Sequence, residues 1–212
     1  LMKKKIVIVD YGLGNIVSAQ QSFLKVIQDN FFDAEVIISS CSSDIYTSSH
    51  IVLPGQGAFS SCIGGLKNIF GMIRALEDSV LIKKKPFLGI CVGMQLLAEK
   101  GYENGVHQGL GWIKGSIKKL EVNKLKLPHM GWNNIQIINN SYEMSFNQKK
   151  NDYYFVHSYF FDCFDEKNII ASTKYGLDFP SIVGKENIYG VQFHPEKSSE
   201  QGLGLINNFL SL

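Results

Sequence analysis

The run Lys85-Pro86-Phe87-Leu88-Gly89-Ile90-Cys91-Val92-Gly93-Met94-Gln95-Leu96-Leu97 decides how this chain is read. An apolar strand is expected over Phe87 to Ile90, leading straight into Cys91, and a helical pattern over Met94 to Lys100 leaves it. Gly89 and Gly93 flank the junction, where a side chain would crowd a sharp strand-to-helix bend. Such an elbow lifts Cys91 clear of a sheet and sets it at a helix N-terminus. There, unpaired amides and the helix dipole favour negative charge. A cysteine so placed suits attack on a carbonyl.

The segments around this elbow alternate between two periodicities. Lys5 to Val9 reads as a continuous apolar strand, and Ile16, Ala19, Phe23, Val26 and Ile27 recur at helical spacing. Glu35 to Ile38 and Ile51 to Leu53 read as further buried strands. Ile63 to Ile82 is helical in parts, punctuated by Gly64-Gly65 and Gly71. Strands alternating with helices imply a parallel sheet with helices on both faces, whose ligands bind beyond the C-terminal strand edges. After Gly101 the pattern changes to short strands: Trp112 to Val122, Asn133 to Ile138, Tyr153 to His157, Ile169 to Tyr175, Ser181 to Gly184 and Ile188 to Phe193. The polar stretch Asn139 to Asp152 reads as a loop or hairpin tip, and a last helix spans about Ser199 to Leu210. The expected fold is therefore α/β, an open mixed, mainly parallel sheet with an antiparallel extension, in one domain covering residues 1–212.

Composition narrows the functional classes. With 19% charged and 45% hydrophobic residues and a net charge of +2, the balance is that of an ordinary soluble domain. The lysine groups (Lys3 to Lys5, Lys83 to Lys85, Lys118-Lys119, Lys149-Lys150) are short and scattered, so no nucleic-acid partner is expected. Cys41, Cys62, Cys91 and Cys163 contain no C-x-x-C pair, which argues against a metal site or disulfide scaffold and fits a reducing, cytoplasmic location. No apolar run approaches membrane-spanning length and no leader pattern is present, so no membrane is expected either.

A nucleophile needs a base, and the base needs an orienting group. The strand Ile188 to Phe193 ends in His194-Pro195-Glu196, where Pro195 stiffens the turn so that His194 and Glu196 leave together. The segment Ile51-Val52-Leu53-Pro54-Gly55-Gln56-Gly57 is a strand followed by a glycine loop. Amides of Gly55, Gln56 and Gly57, with that of Val92, are placed to receive a developing oxyanion. Tyr11-Gly12-Leu13-Gly14-Asn15 is only superficially a dinucleotide fingerprint. Val17 stands where the third glycine belongs, so it reads as a tight turn into the first helix. His50, His107 and His129 are given no catalytic role.

Three blocks, Leu53 to Phe59, Gly89 to Gln95 and Val191 to Ser198, together make the chain resemble the class I (triad-type) glutamine amidotransferases. Three more, Asp10 to Asn15, Leu127 to Asn133 and Tyr154 to Tyr159, resemble the glutaminase-subunit branch that serves imidazole glycerol phosphate synthases. The likeness runs from about Ile6 to about Phe209. It implies L-glutamine as substrate, Cys91, His194 and Glu196 as a catalytic triad, and no metal or organic cofactor. It also implies Gln95, Glu103, Ser158 and Tyr159, with Gly57, around the substrate. Asn15, His157 and Lys197 are implied to face and gate toward a partner, a (β/α)₈-barrel cyclase subunit. The family commonly has valine where this chain has Gln56, although a backbone amide serves whatever its side chain. Three alternatives stay open from sequence: a paralogous amidotransferase feeding another acceptor such as a nucleotide-sugar pathway, a stand-alone γ-glutamyl hydrolase, and a non-catalytic assembly subunit.

Overall fold

A computed structural model describes residues 3–122, 125–142, 144 and 151–212. The Lys149-Lys150 pair and part of the polar stretch Asn139 to Asp152 lie outside the described residues.

Among the described residues the main sheet has eight strands. Lys4–Val9 (β1) pairs in parallel with Ala34–Ser39 (β2) on one side and with His50–Gly55 (β3) on the other. Phe87–Cys91 (β4) follows β3, also parallel. Ile6 to Val9, Ile51 to Leu53 and Phe87-Leu88 are completely buried, which is why these strands read as unbroken apolar runs rather than alternating ones. The chain winds outward from β1 in both directions, so the switch point lies between β1 and β3. Helix Ile16–Asp29 (α1) joins β1 to β2, and Ser42–Thr47 (α2) precedes β3. The expected helical stretch before β4 is three pieces: Phe59–Asn68 (α3), Met72–Glu77 (α4) and a π turn Asp78–Ile82, with Gly71 at φ 72 starting α4. Right-handed crossovers on either side of the switch point place α1 and these helices on opposite faces.

The segment after Cys91 departs from the sequence expectation. The helix is a single turn, Val92–Gln95 (α5), and does not continue to Lys100. Its would-be carbonyls are captured by the next loop: Leu110 N–H donates to Leu96 O (2.8 Å), Gly111 to Ala98 O (3.0 Å) and Gly109 to Glu99 O (2.9 Å). The chain then enters two short strands, Lys100–Gly101 (β5) and His107–Gln108 (β6). The loss matters because a one-turn helix carries little dipole.

The C-terminal half is more divided than the sequence suggests. Its strands are Gly115–Lys119 (β7), His129–Asn134 (β8), Gln136–Ile137 (β9), Asp152–His157 (β10), Tyr159–Cys163 (β11), Ile169–Tyr175 (β12), Leu177–Lys185 (β13) and Ile188–Val191 (β14). Only β13, β12 and β9 extend the main sheet antiparallel, in the order β2-β1-β3-β4-β14-β13-β12-β9. β11-β7-β5-β6 form a separate sheet, and β10-β8 a two-stranded ribbon. The expected strand Trp112 to Val122 is cut to β7, and Asn133 to Ile138 is split between β8 and β9. The closing helix Ser199–Leu210 (α6) matches its expected span and packs against α1.

Candidate active site

The elbow is held by backbone interlock. Gly55 at the end of β3 is in register with Cys91 at the end of β4. A Cβ on Gly55 would lie 2.6 Å from Gly93 N, one on Gly89 2.6 Å from Gly93 O, and one on Gly93 would run into the Leu53 carbonyl oxygen. Cys91 itself sits at φ 54, ψ −111, a region that costs an L residue about 1–3 kcal/mol. Strain imposed by this packing, rather than a long helix behind it, aims the side chain. Gly93→Ala is expected to prevent the strands from closing and to leave the protein unfolded or insoluble; a soluble variant with unchanged melting temperature would contradict this.

His194 and Glu196 arrive from the far side of β4, because β14 pairs with it in parallel. Residues Pro195–Lys197 form one 3₁₀ turn with Pro195 at its start, and it brings His194 Nδ1 within 2.9 Å of Glu196 Oε1. Both side chains are almost fully buried. His194 Nε2 is buried with no close hydrogen-bond partner among the described residues, and Cys91 is its strongest favourable neighbour. Burial opposes charge on His194, but Cys91 and Glu196 outweigh it and push its pKa up to about 10. The imidazole therefore holds its proton at neutral pH. Ser198, wholly buried, fixes this turn by donating to His194 O (2.6 Å) and accepting from Tyr154 N–H (3.0 Å).

Cys91 and His194 open on a cleft of about 260 Å³, below the roughly 300–1,000 Å³ of sites for drug-sized ligands. Of the residues expected at the site, Gln56, Gly57, Val92, Gln95, Glu103, His157, Ser158, Tyr159 and Lys197 also line it. Gly55 lies beside Cys91 in the sheet. Gln56 and Gly57 are exposed, with Gly57 at φ 94, and Tyr11 O–H on Pro54 O (2.6 Å) and Cys62 Sγ on Gln56 O (3.4 Å) brace the loop. Glu103 Oε2 accepts from Phe59 N–H (2.8 Å), which ties it to the start of α3. Gln95 is buried rather than an exposed helix amide.

Asn15 is half-buried, and its Nδ2 lies 3.5 Å from Glu196 Oε1, backing the carboxylate that orients His194. His157 and His129 form a buried chain with fixed hydrogen positions. The Tyr159 carbonyl can only accept, so His157 Nδ1 (2.8 Å) carries the hydrogen and His157 Nε2 accepts from His129 Nδ1 (3.0 Å). His129 Nε2 in turn accepts from Asn133 Nδ2 (3.2 Å). His129, given no role from sequence, thereby positions His157. Ser198, His129 and Gln192, whose Nε2 lies 3.8 Å from Cys91 Sγ, escape a reading of the sequence alone; the one available signal is a polar residue, Gln192, inside the apolar run Ile188 to Phe193.

Burial lowers the pKa of His129 to about 4 and of His157 to about 3, and that of His50, with Lys4 adding to the effect, to about 4. Each native value lies below the roughly 6.5 of a free histidine, so the unfolded chain takes up protons first. The stability they contribute is complete above about pH 6.5 and is lost as pH falls toward about 3–4. His194 works oppositely, its contribution being present below about pH 6.5 and fading as pH rises through about 10. Thermal melts are expected to fall steadily from about pH 6.5 to about pH 4.5, and a flat profile over that range would contradict the neutral buried histidines.

Cys91, His194 and Glu196 thus gather at a cleft at the carboxyl ends of a parallel sheet, and the chain belongs to the class I glutamine amidotransferase family, whose model it matches over residues 8–211. It is 45% identical to the imidazole glycerol phosphate synthase subunit HisH of Pelagibacter ubique, over 98% of this chain and 99% of that protein. The subunit HisH of Rhodospirillum rubrum is 42% identical, over 97% and 98%. Within the class, the chain is a member of this HisH family. A solved glutamine amidotransferase at 16% identity superposes with TM-score 0.70 over 97% of both chains. Another, from Thermotoga maritima and 14% identical, gives 0.61 over 100% of this chain and 84% of that one. These two likenesses speak to the fold alone.

Proposed function

We propose that this chain hydrolyses the side-chain amide of L-glutamine to glutamate and ammonia. The ammonia passes to a (β/α)₈-barrel cyclase subunit making imidazole glycerol phosphate and AICAR in cytoplasmic histidine biosynthesis. One observation carries the reading: Cys91, on a positive-φ elbow, opens on the same cleft as the buried His194–Glu196 pair.

The chemistry follows from the atoms in place. Cys91 sulfur attacks the glutamine Cδ, and the carbonyl oxygen takes the negative charge opposite the amides of Val92 and the Gly55 to Gly57 loop. His194 Nε2 gives its proton to the departing nitrogen, which leaves as ammonia. A γ-glutamyl thioester remains on Cys91. Water then loses a proton to His194 and attacks the thioester, the C–S bond breaks, and glutamate leaves. Glu196 holds Nδ1 throughout and stabilises the imidazolium. Gln95, which lines the cleft, spends both amide hydrogens on Tyr159 O and Gln192 Oε1 (3.1 Å each), leaving its oxygen as the acceptor for the α-ammonium group. Glu103 supplies negative charge for the same group.

Ammonia needs a consumer, and the cleft mouth offers a surface for one. Lys197, which lines the cleft, lies over the Tyr154 ring at 5.9 Å, and Trp132 packs edge-on against the same ring at 6.2 Å; Met130 and Trp132 are both exposed on β8. Aromatic residues beside methionine are favoured at such interfaces. Contacts there bear on Asn15, His157 and Lys197 and bias the oxyanion loop between inactive and active arrangements. Glutamine turnover is expected to be slow for the isolated chain, faster in the complex, and fastest with the cyclase's nucleotide substrate bound. Equal rates in all three would remove the gating, and no hydrolysis in any would remove the function.

A further inference from the structure

Gln192 is completely buried, two residues before His194, and the mechanism above uses only its oxygen, as the acceptor for Gln95. Its backbone N–H donates to Ser181 O (2.9 Å), so the main chain is anchored whatever its side chain does. The side-chain amide has one allowed orientation. Gln95 Nε2 donates to the Tyr159 carbonyl, which can only accept, and the second hydrogen of that nitrogen goes to Gln192 Oε1. With its oxygen committed to Gln95, Gln192 turns its nitrogen toward Cys91, and Nε2 lies 3.8 Å from Sγ. A buried amide is costly unless its groups are matched. An N–H facing a neutral thiol is a weak match, whereas one facing an anionic sulfur is a strong one.

We propose that Gln192 is a further catalytic residue, an amide donor that holds the Cys91 sulfur in its anionic form and links it through Gln95 to the occupancy of the α-ammonium site. The inference rests on the glutaminase reading and deepens it. When a substrate ammonium group binds Gln95 Oε1, the Gln95 amide is polarised. Its N–H bond to Gln192 strengthens, and so does the Gln192 N–H bond to sulfur. A chain of two amides thus makes the nucleophile sensitive to a correctly seated amino acid. The ionisable groups around that sulfur are His194 with Glu196 behind it, Tyr11 and Cys62, and in the cleft Glu103 and Lys197.

The test uses the complex with its cyclase and two variants, Gln192→Met, which keeps the length and removes the donor, and Gln192→Glu, which keeps the acceptor for Gln95. Ammonium-driven synthesis and the melting temperature report whether each variant is folded. The rate of Cys91 alkylation by iodoacetamide is followed against pH, with kcat and KM for glutamine. Gln192→Met is expected to lower kcat about ten- to a hundredfold with a smaller change in KM, and to move the alkylation midpoint to higher pH. Gln192→Glu is expected to move it further, because a carboxylate repels the anionic sulfur. An alkylation profile superimposable on wild type in either folded variant overturns the proposal, whatever happens to turnover. Should Gln192→Met not fold, Gln192→Glu decides alone. A wild-type complex without glutaminase activity would instead overturn the reading beneath it.

Discussion

Replacing Cys91 with serine is expected to lower glutamine-dependent synthesis by the complex on the order of 10⁴–10⁶-fold, the scale seen when the nucleophile of a triad is removed. Serine keeps the shape of the site and the strained backbone, so the elbow survives. Its hydroxyl, however, gives up its proton far less readily than a thiol and forms no thioester. Synthesis driven by added ammonium salts should be unchanged, because that route bypasses the cleft. The contrast between the two nitrogen sources separates loss of chemistry from loss of fold or assembly. Retention of more than a few per cent of glutamine-dependent activity would contradict the role given to Cys91.

His194→Ala is expected to cost glutaminase activity about 10²–10⁴-fold, and Glu196→Gln less. His194 carries the proton that the leaving nitrogen must receive. Cys91 and Glu196 together hold that proton on the imidazole at neutral pH, with the pKa raised to about 10 against the opposing effect of burial. Glu196→Gln removes one of those two supports and leaves the ring in place, with Asn15 and the 3₁₀ turn still shaping its surroundings. The variant's His194 should accordingly titrate at lower pH than wild type, readable by NMR of the ring. Near wild-type turnover in His194→Ala, or a Glu196→Gln defect larger than that of His194→Ala, would overturn this division of roles.

The central strands are legible in sequence because they are buried on both faces, which turns Ile6 to Val9 and Phe87 to Ile90 into unbroken apolar runs with one structural reading. The candidate triad is legible because a positive-φ cysteine and a proline-stiffened turn demand particular residues at fixed spacing. The length of α5 is not, because Met94 to Lys100 has an acceptable helical pattern. What stops it is hydrogen bonding from Leu110, Gly109 and Gly111, which local periodicity does not contain. The same limit hides the separate β7–β11 sheet, since short half-buried strands do not announce their partners. Asn15 reads alone as a turn residue near a helix start; only the fold brings it within reach of Glu196, 181 positions away. His129 goes unnoticed for a similar reason, its meaning depending on His157 across the β8–β10 ribbon.

The account stands most directly on the identity of the nucleophile among four free thiols. A glutamine analogue bearing a diazo-ketone, incubated with the complex and followed by peptide mass mapping, reports which sulfur attacks the δ position. The predicted result is a single adduct at Cys91, prevented by excess glutamine. An adduct at Cys41, Cys62 or Cys163 with Cys91 unmodified would contradict the account.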